Sequence, residues 1–221
     1  MARTSLFATL LLACLSCSAS AQATDPCDTY ATELAAMTGA DQALRKRIDH
    51  LDPQSKDQQR LASHIRLVDR TNTARFKTWI ARCGWPSRLR HGDQAAGDAW
   101  LLAQHADHDL AFQKQALVLI ERDTEESGKG VDQLFALLTD RIAVAEKRPQ
   151  RYGTQLAFRS GPCDLEFEPM EDRAQVEARR AKLNLPPLDA YKRIVMEMQH
   201  CPATSNGEHH YAPPPADLTR K

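Results

Sequence analysis

The chain lacks a net charge, because 29 lysine and arginine residues face 29 aspartate and glutamate residues. Without an excess of positive charge it has neither a field that steers phosphates nor a polybasic membrane anchor, so no nucleic-acid partner is expected. Its N-terminal apolar run, Leu6 to Leu15, falls short of the about 20 residues that a transmembrane helix needs, and none is expected. The sequence has no H-E-x-x-H, no G-x-S-x-G setting for a serine nucleophile and no phosphate-cradling loop. No metal and no cofactor are therefore expected. No internal repeat is present, and 221 residues suit one domain with a real core.

What is present begins at the N-terminus. Arg3, the short apolar run and the small residues Ala19-Ser20-Ala21 read as a signal peptide covering residues 1–21, with the mature chain starting at Gln22. Export to the periplasm or the medium follows. A competing reading treats Leu11-Leu12-Ala13-Cys14 as a loose lipobox and gives a lipid anchor at Cys14, or at Cys17. Removing the signal leaves Cys27, Cys83, Cys163 and Cys201, an even set that suits two disulfides with three connectivities.

Apolar spacing then lays out a mainly α chain. Tyr30, Leu34, Met37, Leu44 and Ile48 predict a first helix over 28–50, with Gly39 as a weak point. After the break at Leu51-Asp52-Pro53-Gln54, Ser55 with Gln58 forms a capping box. The second helix runs to about Arg82 on Leu61, Ile65, Val68, Asn72, Phe76 and Trp79. A short connection makes the two antiparallel, which places Cys27 and Cys83 at the same end. That selects Cys27–Cys83 and leaves Cys163–Cys201.

Gly84-Trp85-Pro86-Ser87 reads as a turn and Arg88 to Gly92 as a basic loop. From about Asp93 to Glu121 a single long helix is expected. Its stripes Leu101, His105, His108, Phe112 and Leu102, Ala106, Leu110, Gln113 are both largely apolar, so it should be central. Val131 to Lys147 is a fourth helix. After Arg148-Pro149 the period becomes two: Tyr152, Thr154, Leu156 and Phe158, then Cys163, Leu165 and Phe167, predict a β-hairpin packed on the helices. Asp172 with Gln175 caps a polar helix to Leu183, and a last helix carries Leu188, Tyr191, Ile194, Val195 and Met198. Residues 202–221, with Pro213-Pro214-Pro215, read as a disordered tail. The expected fold is a bundle of five or six helices with one β-hairpin and two disulfides, forming one domain over 22–201.

Asp69/Asn72, Gly84-Trp85-Pro86, Gln104-His105-Ala106, Phe112-Gln113, Leu138-Thr139-Asp140-Arg141 and Tyr152-Gly153-Thr154-Gln155 occur in that order. In this the chain resembles a bacterial domain-of-unknown-function family over roughly residues 60–195. The resemblance implies a common fold. It supplies no substrate and no cofactor.

Among chemistry-bearing residues His105 stands out, because a neutral imidazole on an apolar stripe needs a partner. Asp140 and Arg141 are the expected ones, and the three form the candidate catalytic set of base, orienting acid and anion clamp. Gln104, Asn72, Tyr152 and Gln155 are the expected ligand-binding residues around it. His105, His108 and Asp109 have i, i+3, i+4 spacing that would let them face one ion; a wet helix edge explains them more simply. Glu208-His209-His210 is a weaker candidate still. Two functional readings follow. One is an exported, hydrolase-like protein acting on a small polar ligand, in which His105→Ala removes activity and spares stability. The other is a non-catalytic protein that binds or inhibits an envelope protein, in which the same change costs a few kcal/mol.

Overall fold

A computed structural model of the chain describes residues 25–201 apart from Pro26, His50, Leu51 and Pro162. The signal peptide and the proline-rich tail expected from the sequence lie outside the described residues. Among the described residues seven helices and one hairpin follow in order: α1 (Tyr30–Arg45), α2 (Lys56–Cys83), α3 (Arg88–Gln104), α4 (Leu110–Glu126), α5 (Gln133–Ala145), β1 (Leu156–Phe158), β2 (Leu165–Phe167), α6 (Arg173–Lys182) and α7 (Leu188–Met198). The mainly α class holds. No described helix is long and apolar enough to cross a membrane.

The α1–α2 hairpin forms as its caps dictate. The Ser55 side chain accepts the Gln58 N–H at the start of α2, and Gly84, at φ 78°, stops it. Cys27 and Cys83 meet with Cα atoms 5.8 Å apart, and Cys163 meets Cys201 at 5.5 Å. Each bridge closes a loop long enough to contribute about 4 kcal/mol in the chain-entropy model. Beside the first bridge Tyr30 stacks on Trp79, and Phe76 meets Phe112 edge-on. Helix α3 is the centre of the bundle, packing on α1, α2, α4 and α5. Its small buried face of Ala95, Ala99 and Ala103 permits that crowding.

Two expectations about this region need correction. Arg88 to Gly92 is not a loop: it is the first turn of α3, capped by Ser87, and the helix bends at Gly92 where φ is 82°. The single helix over Asp93–Glu121 is two helices. Helix α3 ends at Gln104 and α4 begins at Leu110, with His105 to Asp109 forming the turn between them. Two side chains stabilise that break. Asp109 caps α4 by accepting the Phe112 N–H at 3.0 Å. Gln113 Nε2 donates to the carbonyls of Ala103 and Gln104 at the end of α3, the first of which also accepts the Ala106 N–H. The fifth residue of the turn and the fourth of the next helix thus share one task.

The hairpin is also shorter than its alternation suggests. β1 and β2 pair antiparallel with Leu156 opposite Phe167, and Tyr152 to Gln155 precede them as a loop. Gly153 is as buried as its neighbours Tyr152 and Thr154, which a strand with one wet face would not allow.

Candidate functional site

The α3–α4 turn presents His105 toward the α1–α2 hairpin. His105 Nδ1 lies 3.0 Å from Oδ2 of Asp41, whose side chain is 2% exposed; His105 itself is 16% exposed. The approach is oblique to the ring N–H, so Nδ1 is buried without an aligned hydrogen bond. The contact is one of charge and proximity. Asp41 continues the buried face of α1 that Tyr30, Leu34, Met37 and Thr38 begin, which is why it points inward. Arg45, one turn on, donates Nε to Asp41 Oδ1 at 2.8 Å and Nη2 to Asp69 Oδ1 at 2.6 Å. Gln42 Nε2 donates to Asp41 Oδ2 at 2.8 Å. One donor atom each from Asp41, Asp69 and His105 falls within 4.8 Å of the others.

The two carboxylates respond differently to this setting. Burial works against the charge of Asp41, yet the close contact and charge of His105, helped by hydrogen bonds from Gln42 and Arg45, hold it at about 2. For Asp69 burial prevails over Arg45, and its pKa is raised.

Asp140 belongs elsewhere. It is fully buried, and its two oxygens accept the N–H groups of Arg151 (2.8 Å), Tyr152 (3.1 Å) and Thr154 (2.9 Å) and the Thr154 hydroxyl (3.0 Å). From the other side Arg180, 1% exposed, donates to the carbonyls of Tyr152 (2.6 Å), Gly153 (3.1 Å) and Pro186 (2.8 Å). Its guanidinium also lies over the Tyr191 ring at 4.8 Å. The loop is therefore clamped between a buried acid that takes its N–H groups and a buried base that takes its carbonyls. Gln150 completes the clamp by accepting the Gln155 N–H and donating to the Gln155 and Glu168 carbonyls. Burial still prevails over the donors to Asp140, and its pKa is raised.

The catalytic set expected from the sequence is therefore not assembled. His105 meets Asp41, Asp140 spends both oxygens on backbone, and Arg141 pairs with Asp107 at 2.9 Å. Asp107, exposed on the same turn as His105, also accepts from Gln113. Of the expected ligand-binding residues, Asn72 Nδ2 bonds the Met37 carbonyl at 3.3 Å and ties α2 to α1. Tyr152 and Gln155 belong to the clamped loop, where Gln155 Nε2 reaches the Leu137 carbonyl and Thr154 Oγ1. Gln104 is buried with Oε1 unpartnered. His105, His108 and Asp109 do not converge either: His108 is exposed and Asp109 binds Lys77 at 2.8 Å. Sequence reasoning missed Asp41, Arg45 and Arg180. The available signal was an acid on the apolar stripe of α1 followed by a base at i+4, and an arginine one turn after Val176 on the buried face of α6.

A family model matches residues 28–201, which is nearly all of the described chain; its description is "Family of unknown function (DUF6624)". The chain belongs to DUF6624. No curated protein and no solved structure matches it. Within this DUF6624 chain, Asp69 and His105 come from two stretches far apart in sequence, and both helix packing and the α3–α4 turn are needed to join them.

Proposed function

We propose that this is an exported protein whose function resides at a small-polar-ligand site formed by Asp41, Asp69, Arg45 and His105. His105 is the group that meets the ligand, and Asp41 fixes its ring. The observation that carries this reading is the state of His105. Nδ1 rests against a buried carboxylate, no protein group among the described residues binds Nε2, and the ring keeps an exposed edge. An imidazole held on one side and open on the other is the arrangement acid–base and hydrolytic sites use. The two disulfides are compatible with an oxidising compartment, which supports the export reading from residues 1–21.

The alternative, a non-catalytic binder or inhibitor of an envelope protein, is favoured by one observation: Asp140, Tyr152 and Gln155 are consumed by their own loop. A ligand screen of cell-wall fragments and small polar metabolites, read on the His105 imidazole resonances, distinguishes the two. Binders that shift His105 and fail on the His105→Gln protein support the ligand site. Binding that ignores both His105 and Asp69 overturns it.

A further inference from the structure

We propose that the occupant of this site is a divalent transition-metal cation, held by an imidazole nitrogen of His105 and a carboxylate oxygen from each of Asp41 and Asp69. The inference rests on the ligand-site reading above and names its ligand; it makes His105 a metal ligand rather than a base. It also departs from the sequence expectation of no metal.

Geometry carries it first. Ligand atoms about 2.1 Å from a tetrahedral ion stand roughly 3.4 Å apart. His105 and Asp41 already approach to 3.0 Å, and all three donor atoms lie within 4.8 Å of one another. Closing the remaining gap takes about an ångström of side-chain movement at groups that retain some exposure. One nitrogen with two carboxylate oxygens suits zinc and manganese-like ions, and three protein ligands leave coordination positions for water or substrate.

The surroundings match the outer shell of such a site. Arg45 binds Oδ1 of Asp41 and Oδ1 of Asp69, and Gln42 binds Asp41 from its own helix. Asp69 Oδ2 has no partner among the described residues. Arg45 can therefore stay in place and orient both carboxylates while the ion takes their other oxygens, that of Asp41 shared with the Gln42 amide. Charge points the same way: two largely buried carboxylates face one guanidinium and an imidazole, a set that a further cation completes.

The test is a Co²⁺ titration of the full mature chain, freed of metal by chelation and carrying His209→Ala and His210→Ala so that its tail histidines do not compete. Calorimetry gives the stoichiometry, and visible absorption reports the ligand set. One Co²⁺ per chain, displaced by Zn²⁺ and lost in His105→Ala and in Asp69→Asn proteins of unchanged melting temperature, is the expected result. Arg45→Gln should weaken binding about 10–100-fold without removing it. Absence of Co²⁺ binding, or binding undiminished in both ligand variants, overturns the proposal. The ligand screen on the same metal-free sample separates the two readings. A polar binder that needs His105 while Co²⁺ does not bind sinks the metal alone, and failure of both sinks the site.

Discussion

Two buried acids, Asp140 and Asp41, sit at opposite extremes of the same problem. Among the described residues Asp140 has no ion-pair partner in contact, and it satisfies its oxygens with three backbone N–H groups and a hydroxyl, all from one loop. Among the described residues Asp41 is met by side chains alone: Arg45, Gln42 and His105, the last at an oblique angle. The first cluster is closed, with an acid and a base holding the two polarities of one backbone segment. The second is incomplete, reaches solvent through His105 and Asp69, and leaves donor atoms without partners. Closed polar networks fix a fold, whereas groups held on one side and free on the other are available to a ligand. The sequence expectation joined one residue from each cluster, and the comparison shows why they serve different ends.

The largest effect should come from breaking the closed cluster. Asp140→Ala leaves two buried N–H groups and one half-buried N–H group unpaired at about 1–3 kcal/mol each, so a loss of about 4 kcal/mol is expected. At this size that lowers the melting temperature by about 10 °C, measurable by circular dichroism. Gly153→Ala should follow. Gly153 has φ 61°, and a Cβ there would stand 2.5 Å from Cδ2 of the fully buried Leu188. Strain and overpacking together should cost about 2–3 kcal/mol. Adding Leu188→Ala should remove the overpacking part of that cost, which a double-mutant cycle would show as positive coupling.

A smaller effect concerns pH at the turn that carries the open cluster. The Lys77 ion pair, with the Phe112 N–H, holds Asp109 below its ordinary range. A carboxylate depressed on folding stabilises above its unfolded pKa and loses that contribution as pH falls through the folded value. Acid titration from about pH 5 downward should therefore cost the wild type more than Asp109→Asn, which keeps the helix cap but not the charge. Asp140, raised by burial, runs the other way. Its share of stability is full below the ordinary carboxylate value and declines as pH rises through the raised one. An equal acid sensitivity in wild type and Asp109→Asn would break this distinction.

How much of this was legible in the sequence depends on the range of the interaction. The Cys27–Cys83 pairing was readable because capping and apolar period fix a local hairpin. The break at 105–109 was not read, since Leu102, Ala106, Leu110 and Gln113 keep a helical period straight across it. The deciding facts are the Asp109 cap and the reach of Gln113 back to α3, which are three-dimensional. Tyr152 and Thr154 mimicked a strand because both are buried, yet the backbone N–H groups of that stretch go to Asp140, not to a neighbouring strand. His105 was singled out for needing a partner, and it has one. That the partner is Asp41, from a helix more than 60 residues earlier, followed from packing that no periodicity encodes.

The central claim is that the His105 cluster is held open for a ligand while the Asp140 cluster holds the fold. Urea unfolding of His105→Gln and Asp140→Ala proteins, side by side at neutral pH, tests it most directly. Without His105, Asp41 keeps Gln42 and Arg45, so His105→Gln should cost about 1 kcal/mol or less, against about 4 kcal/mol for Asp140→Ala. Equal losses in the two proteins would contradict the account.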